Sequence, residues 1–241
     1  MTSSRGVHHT LRLTSRILIF VWACAFVNGS ARAGEPWEFW PELQGFFGLS
    51  PQTRIFLNVP YARGKESEYG ILELAAYLDI SLKPIVGRYS EKADWQRSRY
   101  VWARIGYDHV VHYTDGVHSS TEERGIVSLL HKIGLPEEIW LEARERADLR
   151  WMGGEYSTRY RFRLEATREF TVFGHSVVPY LNAEGFYDTR YVGLARMLYM
   201  AGSEFTFTDH FRCELYFAQQ TDYRPNPSGL AAFGVVAKWY Y

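Results

Sequence analysis

The chain has 241 residues, 46 % of them hydrophobic, with 27 Lys+Arg against 27 Asp+Glu and a formal net charge of zero. That length suits one domain or at most two, and the even charge balance excludes a disordered chain and a basic nucleic-acid binder. Aromatic residues are unusually abundant, with 17 Tyr, 15 Phe and 8 Trp, and any fold must find room for them.

The N-terminus reads as an export signal. Arg5, Arg12 and Arg16 precede an apolar run from Ile17 to Val27, and Ala31-Arg32-Ala33 supplies the small residues of a cleavage site. The run is too short to span a bilayer. The expected division is therefore a cleaved segment 1–33 and a single domain 34–241. Cleavage removes Arg5, Arg12, Arg16 and Arg32 but no acid, which leaves a net charge of −4. It also removes Cys24. Cys213 alone cannot form an internal disulfide, so a disulfide-stapled scaffold is excluded. Beyond residue 33 no apolar stretch approaches the ~20 residues of a spanning helix. Any membrane crossing must be made by strands.

After residue 36 the pattern alternates with period two, over segments longer than most soluble strands. Strands are expected at about 37–48, 53–62, 70–87, 97–112, 119–132, 138–152, 155–169, 175–188, 190–207, 211–222 and 229–241. In 138–151 one face carries Glu142, Arg144, Arg146, Asp148 and Arg150. The other carries Ile139, Leu141, Ala143, Ala147, Leu149 and Trp151, interrupted by Glu145. In 156–167 the faces are Arg159, Arg161, Arg163, Glu165 and Tyr160, Phe162, Leu164, Ala166. Gly153-Gly154 between them suits the positive φ of a two-residue hairpin. Such a turn pairs Arg146 with Arg161, Arg144 with Arg163 and Asp148 with Arg159. All the charge then stays on one side of the sheet.

A nearly unbroken charged row on one face, with aromatics near the ends of the other, fits a transmembrane barrel better than a soluble sandwich. A sheet in lipid must close to satisfy its edges. The expected fold is all-β: one closed antiparallel transmembrane β-barrel with an even strand number. Twelve strands are expected if 190–207 divides, with ten as the fallback, and both ends of the barrel chain in the periplasm. The final segment alternates Ala231, Phe233, Val235, Ala237, Trp239 and Tyr241. Phe233, Trp239 and the terminal Tyr241 form a candidate signal for the barrel-assembly machinery.

Several short stretches carry a family resemblance. They are Glu122-Glu-Arg124, Arg144-Glu-Arg-Ala-Asp-Leu-Arg150, Tyr160-Arg-Phe-Arg-Leu-Glu165, Pro179-Tyr-Leu-Asn-Ala-Glu184, Val192-Gly-Leu194 and Leu215-Tyr-Phe-Ala-Gln-Gln-Thr-Asp222. Over about residues 120–241 the chain resembles the bacterial domain of unknown function 2490, and over 37–119 it does so in general character. The resemblance implies a Gram-negative outer-membrane barrel with no established activity and no catalytic residues.

No nucleophile elbow, phosphate-cradling glycine loop, H-E-x-x-H or paired C-x-x-C occurs in the sequence. His109 and His112 fall on opposite faces of a strand, so no metal ligand set is assigned, and no cofactor is expected. His118-Ser119 and His175-Ser176 place His beside Ser, but adjacent strand residues diverge and neither pair is a dyad by itself. The polar signal is the arginine rows. Like charges directly opposite destabilise a sheet unless they are neutralised. One solution is a lumen network of Arg144, Arg146, Arg159, Arg161 and Arg163 with Glu142, Asp148, Glu165 and Glu184. The other is an electropositive lining that passes anions. The expected function is a monomeric structural barrel or narrow pore in outer-membrane lipid. An outer-membrane lipid or lipopolysaccharide hydrolase is the alternative, and no nucleic acid is involved.

Overall fold

The computed structural model describes residues 36–64, 69–82, 101–114, 116–225 and 227–241. The expected export segment 1–33 lies outside the described residues. So do the end of the expected strand 70–87 and the start of 97–112. Among the described residues twelve strands follow one another: β1 (Trp37–Ser50), β2 (Thr53–Gly64), β3 (Tyr69–Leu82), β4 (Val101–Thr114), β5 (Val117–Gly134) and β6 (Ile139–Met152). Then come β7 (Glu155–Arg168), β8 (Phe170–Val172), β9 (His175–Asp188), β10 (Gly193–Thr206), β11 (Phe211–Asp222) and β12 (Ser228–Tyr240).

Eleven of them close into a barrel. Each pairs antiparallel with the next, β7 joins β9 directly, and β12 returns to β1. The twelfth strand is not the divided 190–207, which stays whole as β10. It is the three-residue β8, paired only with β9 where the β7–β9 hairpin extends past the wall. The expected even wall is thereby corrected. Ten antiparallel steps separate the first of eleven wall strands from the last, so the two run the same way and β1 meets β12 in parallel, Trp37 beside Ala231 and Phe46 beside Tyr240. Trp37 and Tyr240 consequently lie at opposite ends of the barrel, not at one end. Closure pairs every wall strand on both sides and leaves no open edge.

The β6–β7 hairpin has the expected register: Arg146 opposite Arg161, Arg144 opposite Arg163 and Asp148 opposite Arg159. Gly153 (φ +60°) and Gly154 (φ +86°) supply its turn, a pair of positive φ angles open to glycine without steric cost. Alternation then sorts the whole barrel. Phe39, Leu43, Leu57, Leu74, Ile105, Val127, Phe162, Leu164 and Phe233 stand exposed on the outside. Aromatics on that wall include pairs at both ends as well as mid-wall residues such as Tyr107, Tyr160 and Phe162. Trp151 packs on Tyr156 (5.2 Å) at the end holding the Gly153-Gly154 turn. Phe211 on Trp239 (5.4 Å) and Phe47 on Tyr241 (5.3 Å) lie at the other.

The interior holds two apolar clusters, with charge elsewhere on the same inner wall. Phe46, Phe56, Ala75, Tyr77 and Ile126 form one cluster, from β1, β2, β3 and β5. Tyr180, Phe186, Leu198, Tyr216, Ala218, Ala232 and Val236 form the other, from β9 to β12. Tyr216 lies flat across β12 because Gly234 has no side chain there; a Cβ would overlap its ring. At Gly48 a Cβ would meet only the Tyr241 carbonyl oxygen at 3.5 Å, an ordinary contact. Gly234→Ala should therefore lower stability by about 1–3 kcal/mol through overpacking. Gly48→Ala should stay within about 0.5 kcal/mol. Urea unfolding of the two variants measures the difference, and equal midpoints would show that Tyr216 is free to move.

Candidate functional site

The hairpin register forces two arginine rows together, and the structure neutralises them from strands further round the wall. Arg144 Nη2 reaches past β7 to Glu184 Oε1 of β9 (2.7 Å). Arg161 clasps the same carboxylate with both Nε (2.9 Å) and Nη2 (3.0 Å). Arg146 bonds Asp148 on its own strand and reaches past β5 to Asp108 Oδ2 of β4 (2.8 Å). Arg159 donates to Asp148 Oδ2 (2.8 Å). Arg163 Nη2 donates to Glu142 Oε1 (2.7 Å), with Glu165 3.9 Å away. Curvature draws side chains from strands two apart together on the concave side, which favours such strand-skipping bonds.

These pairs sort the nine residues into two sets. Arg144, Arg146, Arg159, Arg161, Asp148 and Glu184 form one. Arg163, Glu142 and Glu165 form the other, joined by Lys132 at 3.2 Å from Glu142. A further tier lies nearer the Gly153-Gly154 end. Arg124 bridges Glu73 (2.8 Å) and Glu122 (2.7 Å), and Arg150 bridges Glu122 (2.9 Å) and Asp188 (2.7 Å). His112 holds the Tyr69 hydroxyl on Nδ1 (2.8 Å) and turns Nε2 towards Glu122, 3.9 Å away. Asp188 also binds Arg190 in the following turn, and that hydrogen bond raises the Arg190 guanidinium above the usual arginine value.

Two spaces open among the described residues of the interior. A cavity of about 680 Å³ is lined by Arg144, Arg146, Arg161, Arg163, Glu142 and Glu184 among others. A cleft of about 280 Å³ at the Gly153-Gly154 end is lined by Arg150, Arg159, Arg190, Arg196 and their acids. No lining residue is shared. Asp108, Glu122 and Asp148, each at most 1 % exposed, line neither. They belong to the ion-paired tiers that connect residues of one space with residues of the other.

The sequence matches the family described as protein of unknown function (DUF2490) over residues 89–230. The chain belongs to this family. The match begins earlier in the chain than the resemblance over residues 120–241 and stops before most of β12. No curated protein matches the sequence. Family membership assigns no reaction, so the residues must speak for themselves.

Phe233, Trp239 and Tyr241 share the outer wall of the last strand. Phe233 stacks on Phe39 (6.4 Å) and Tyr241 on Phe47, while Trp239 packs tilted against Phe211. The serines beside histidines are engaged elsewhere. Ser176 donates to Glu169 (2.6 Å) and Ser119 to the His112 carbonyl (3.0 Å). Missing from the expected set were Asp108, Arg124, Arg150 and Asp188. Parity marks each as inward-facing, but which acid meets which arginine across an intervening strand follows from the curvature of the wall.

Glu184 is buried and serves both Arg144 and Arg161. Removing one partner of a buried pair leaves an uncompensated charge, so Glu184→Ala should cost about 3–5 kcal/mol. Glu123→Gln, an exposed carboxylate paired with His109, should cost about 0–1 kcal/mol. Denaturant titration of both variants tests this ordering, and equal losses would contradict a structural role for the interior network.

Proposed function

We propose that this protein is a non-conducting barrel of the bacterial outer membrane, exported by its N-terminal segment and surrounded by outer-membrane lipid. The observation that carries the reading is the inverted polarity of the wall: apolar and aromatic outside, ionic inside. Such a wall would shed water poorly in the periplasm and suits lipid. Arginine facing the bilayer midplane costs roughly 2–4 kcal/mol each, and here the arginine rows of β6 and β7 face inward. The aromatic clusters towards both ends match interfacial girdles.

Among barrels, the structural role is favoured over the narrow pore. Opposite charges answer one another across the interior, so no single-sign path runs through it. Asp108, Glu122 and Asp148 with their arginines stand between the cleft and the cavity. The hydrolase alternative finds no support in the serines, whose hydroxyls donate to Glu169 and to a backbone carbonyl.

The protein should fractionate with outer membranes and migrate faster on gels when unheated. In planar bilayers it should give no steady conductance. Anion-selective steps abolished by Arg161→Glu would establish the pore instead, and recovery from the soluble periplasm would refute the membrane reading. Tyr241, 70 % exposed at the end of the wall, is proposed as a contact of the assembly machinery. Its deletion should lower the folded fraction in outer membranes while export continues, as read by heat-shifted bands in each compartment. Unchanged assembly would remove that role.

A further inference from the structure

The cleft at the Gly153-Gly154 end has features that the charge network does not explain. Its lining brings the guanidinium groups of Arg150, Arg159, Arg190, Arg196 and Arg224 around two carboxylates, Asp188 and Asp222. Asp188 is shared by Arg150 and Arg190, Asp222 takes Arg196 (2.6 Å), and Arg159 turns away to Asp148. Arg224 makes no ion pair or side-chain hydrogen bond among the described residues, yet it is held in place. The backbone of its loop is tied to β10 through Tyr223 N donating to the Ala195 carbonyl (2.8 Å). Positive charge exceeds negative on a concave, partly enclosed surface, where the field is focused.

The ring of Phe186 organises this surface. Arg159 and Arg196 both lie over it, at 5.6 and 5.7 Å from its centroid. Cation–π contact holds a guanidinium by its face and leaves its edge for hydrogen bonds; Arg159 spends Nε and Nη2 on Asp148, whereas Arg196 spends Nε on Asp222. Edge donors in a fork bind two oxygens at once, the geometry that phosphate and carboxylate groups offer. A tetrahedral anion can take donors from several directions, and the arginines surround the cleft from β6, β7, β10 and the two turns above them.

We propose that this cleft binds a phosphoryl group, carried by a small phosphate compound. A volume of about 280 Å³ admits phosphate, pyrophosphate or a sugar phosphate and has no space for acyl chains. Its lining comes from inward-facing positions and end turns, so it opens along the barrel axis and away from the outer wall. A lipid headgroup presents the same chemistry but would have to bend over the rim to reach it.

Isothermal titration of the folded full-length protein with inorganic phosphate and with pyrophosphate tests the site. Saturable one-to-one binding is expected, tighter for pyrophosphate. Arg196→Gln/Arg224→Gln should weaken it by about tenfold or more, through loss of charge-assisted bonds. Arg224→Gln alone should weaken it measurably, and that side chain makes no ion pair or hydrogen bond among the described residues. Arg63→Gln, an exposed arginine near the same end of β2, should leave binding unchanged. Repeating the titration in nanodiscs separates the sources: affinity retained with anionic phospholipid identifies a soluble ligand. Affinity lost there but kept with zwitterionic lipid identifies a headgroup in the cleft. Absence of saturable heat, or an equal loss in Arg63→Gln, would overturn the proposal.

Discussion

The shared buried carboxylate sets the terms for this barrel. Asp148 has no exposed surface and accepts hydrogen bonds from Arg146 on its own strand and Arg159 across the turn. Glu184 does the same for Arg144 and Arg161. A two-residue glycine turn places the arginine rows of β6 and β7 face to face, a repulsive arrangement in an isolated hairpin. It becomes tolerable only when β4 and β9 curve round to bring Asp108 and Glu184 within reach. Neutralising the charge thus depends on the curvature of the wall from β4 to β9. Such pairs are weak contributors to net stability because each ion loses its hydration. What they confer is selectivity, since registers that strand an arginine without an acid are penalised.

Inside and outside obey different rules here. The outer face buries little within the chain beyond small residues such as Ala201 and Ala231, and its large apolar side chains face the surroundings. The inner face is irregular, with two apolar clusters and ionic tiers, and it is there that packing is decided. Gly234 and Gly202 illustrate the point: each clears space for a tyrosine ring on a neighbouring strand, and a Cβ at Gly202 would sit 2.7 Å from Tyr216 Cβ. The parallel seam follows from the same economy of wall. Eleven strands close around this interior, and Phe46 stacks on Phe56 at 4.6 Å and Tyr240 at 4.7 Å, so that aromatic contact continues across the junction of β1 and β12.

Much of this was legible in the residues. Period-two alternation located every wall strand, and the turn arithmetic of Gly153-Gly154 predicted the register of β6 on β7. Strand parity failed because the even count rested on both ends of the barrel chain lying on one side, which backbone geometry does not require. The alternating pattern assigns no strand between 169 and 175, yet Phe170-Thr-Val172 pairs with β9 as a short spur. The strand-skipping pairs were out of reach for a different reason. Alternation says which face a side chain occupies, whereas the reach of Arg150 to Asp188 or of Arg124 to Glu73 depends on curvature, a property of the closed wall.

The outer wall carries its own ionisable groups, and their placement bears on the membrane proposal. His109 Nδ1 lies 2.8 Å from Glu123, which also accepts from Tyr107, and His131 Nε2 lies 2.7 Å from Glu145. Each acid thus has a partner that can share a proton, which eases its presence on an apolar face. Position matters as well. Glu123 stands opposite Trp151, beside the Gly153-Gly154 turn, and His131 stands near the far end of β5. The span of β5 between them is about 26 Å at roughly 3.3 Å per residue. A strand tilt of 35–45° reduces this to a height of about 20 Å, comparable to the ~25 Å apolar band of outer-membrane barrels. Between them on that face stand Gly125, Val127 and Leu129. On β5, therefore, the ionisable groups bracket the stretch that the membrane reading assigns to hydrocarbon.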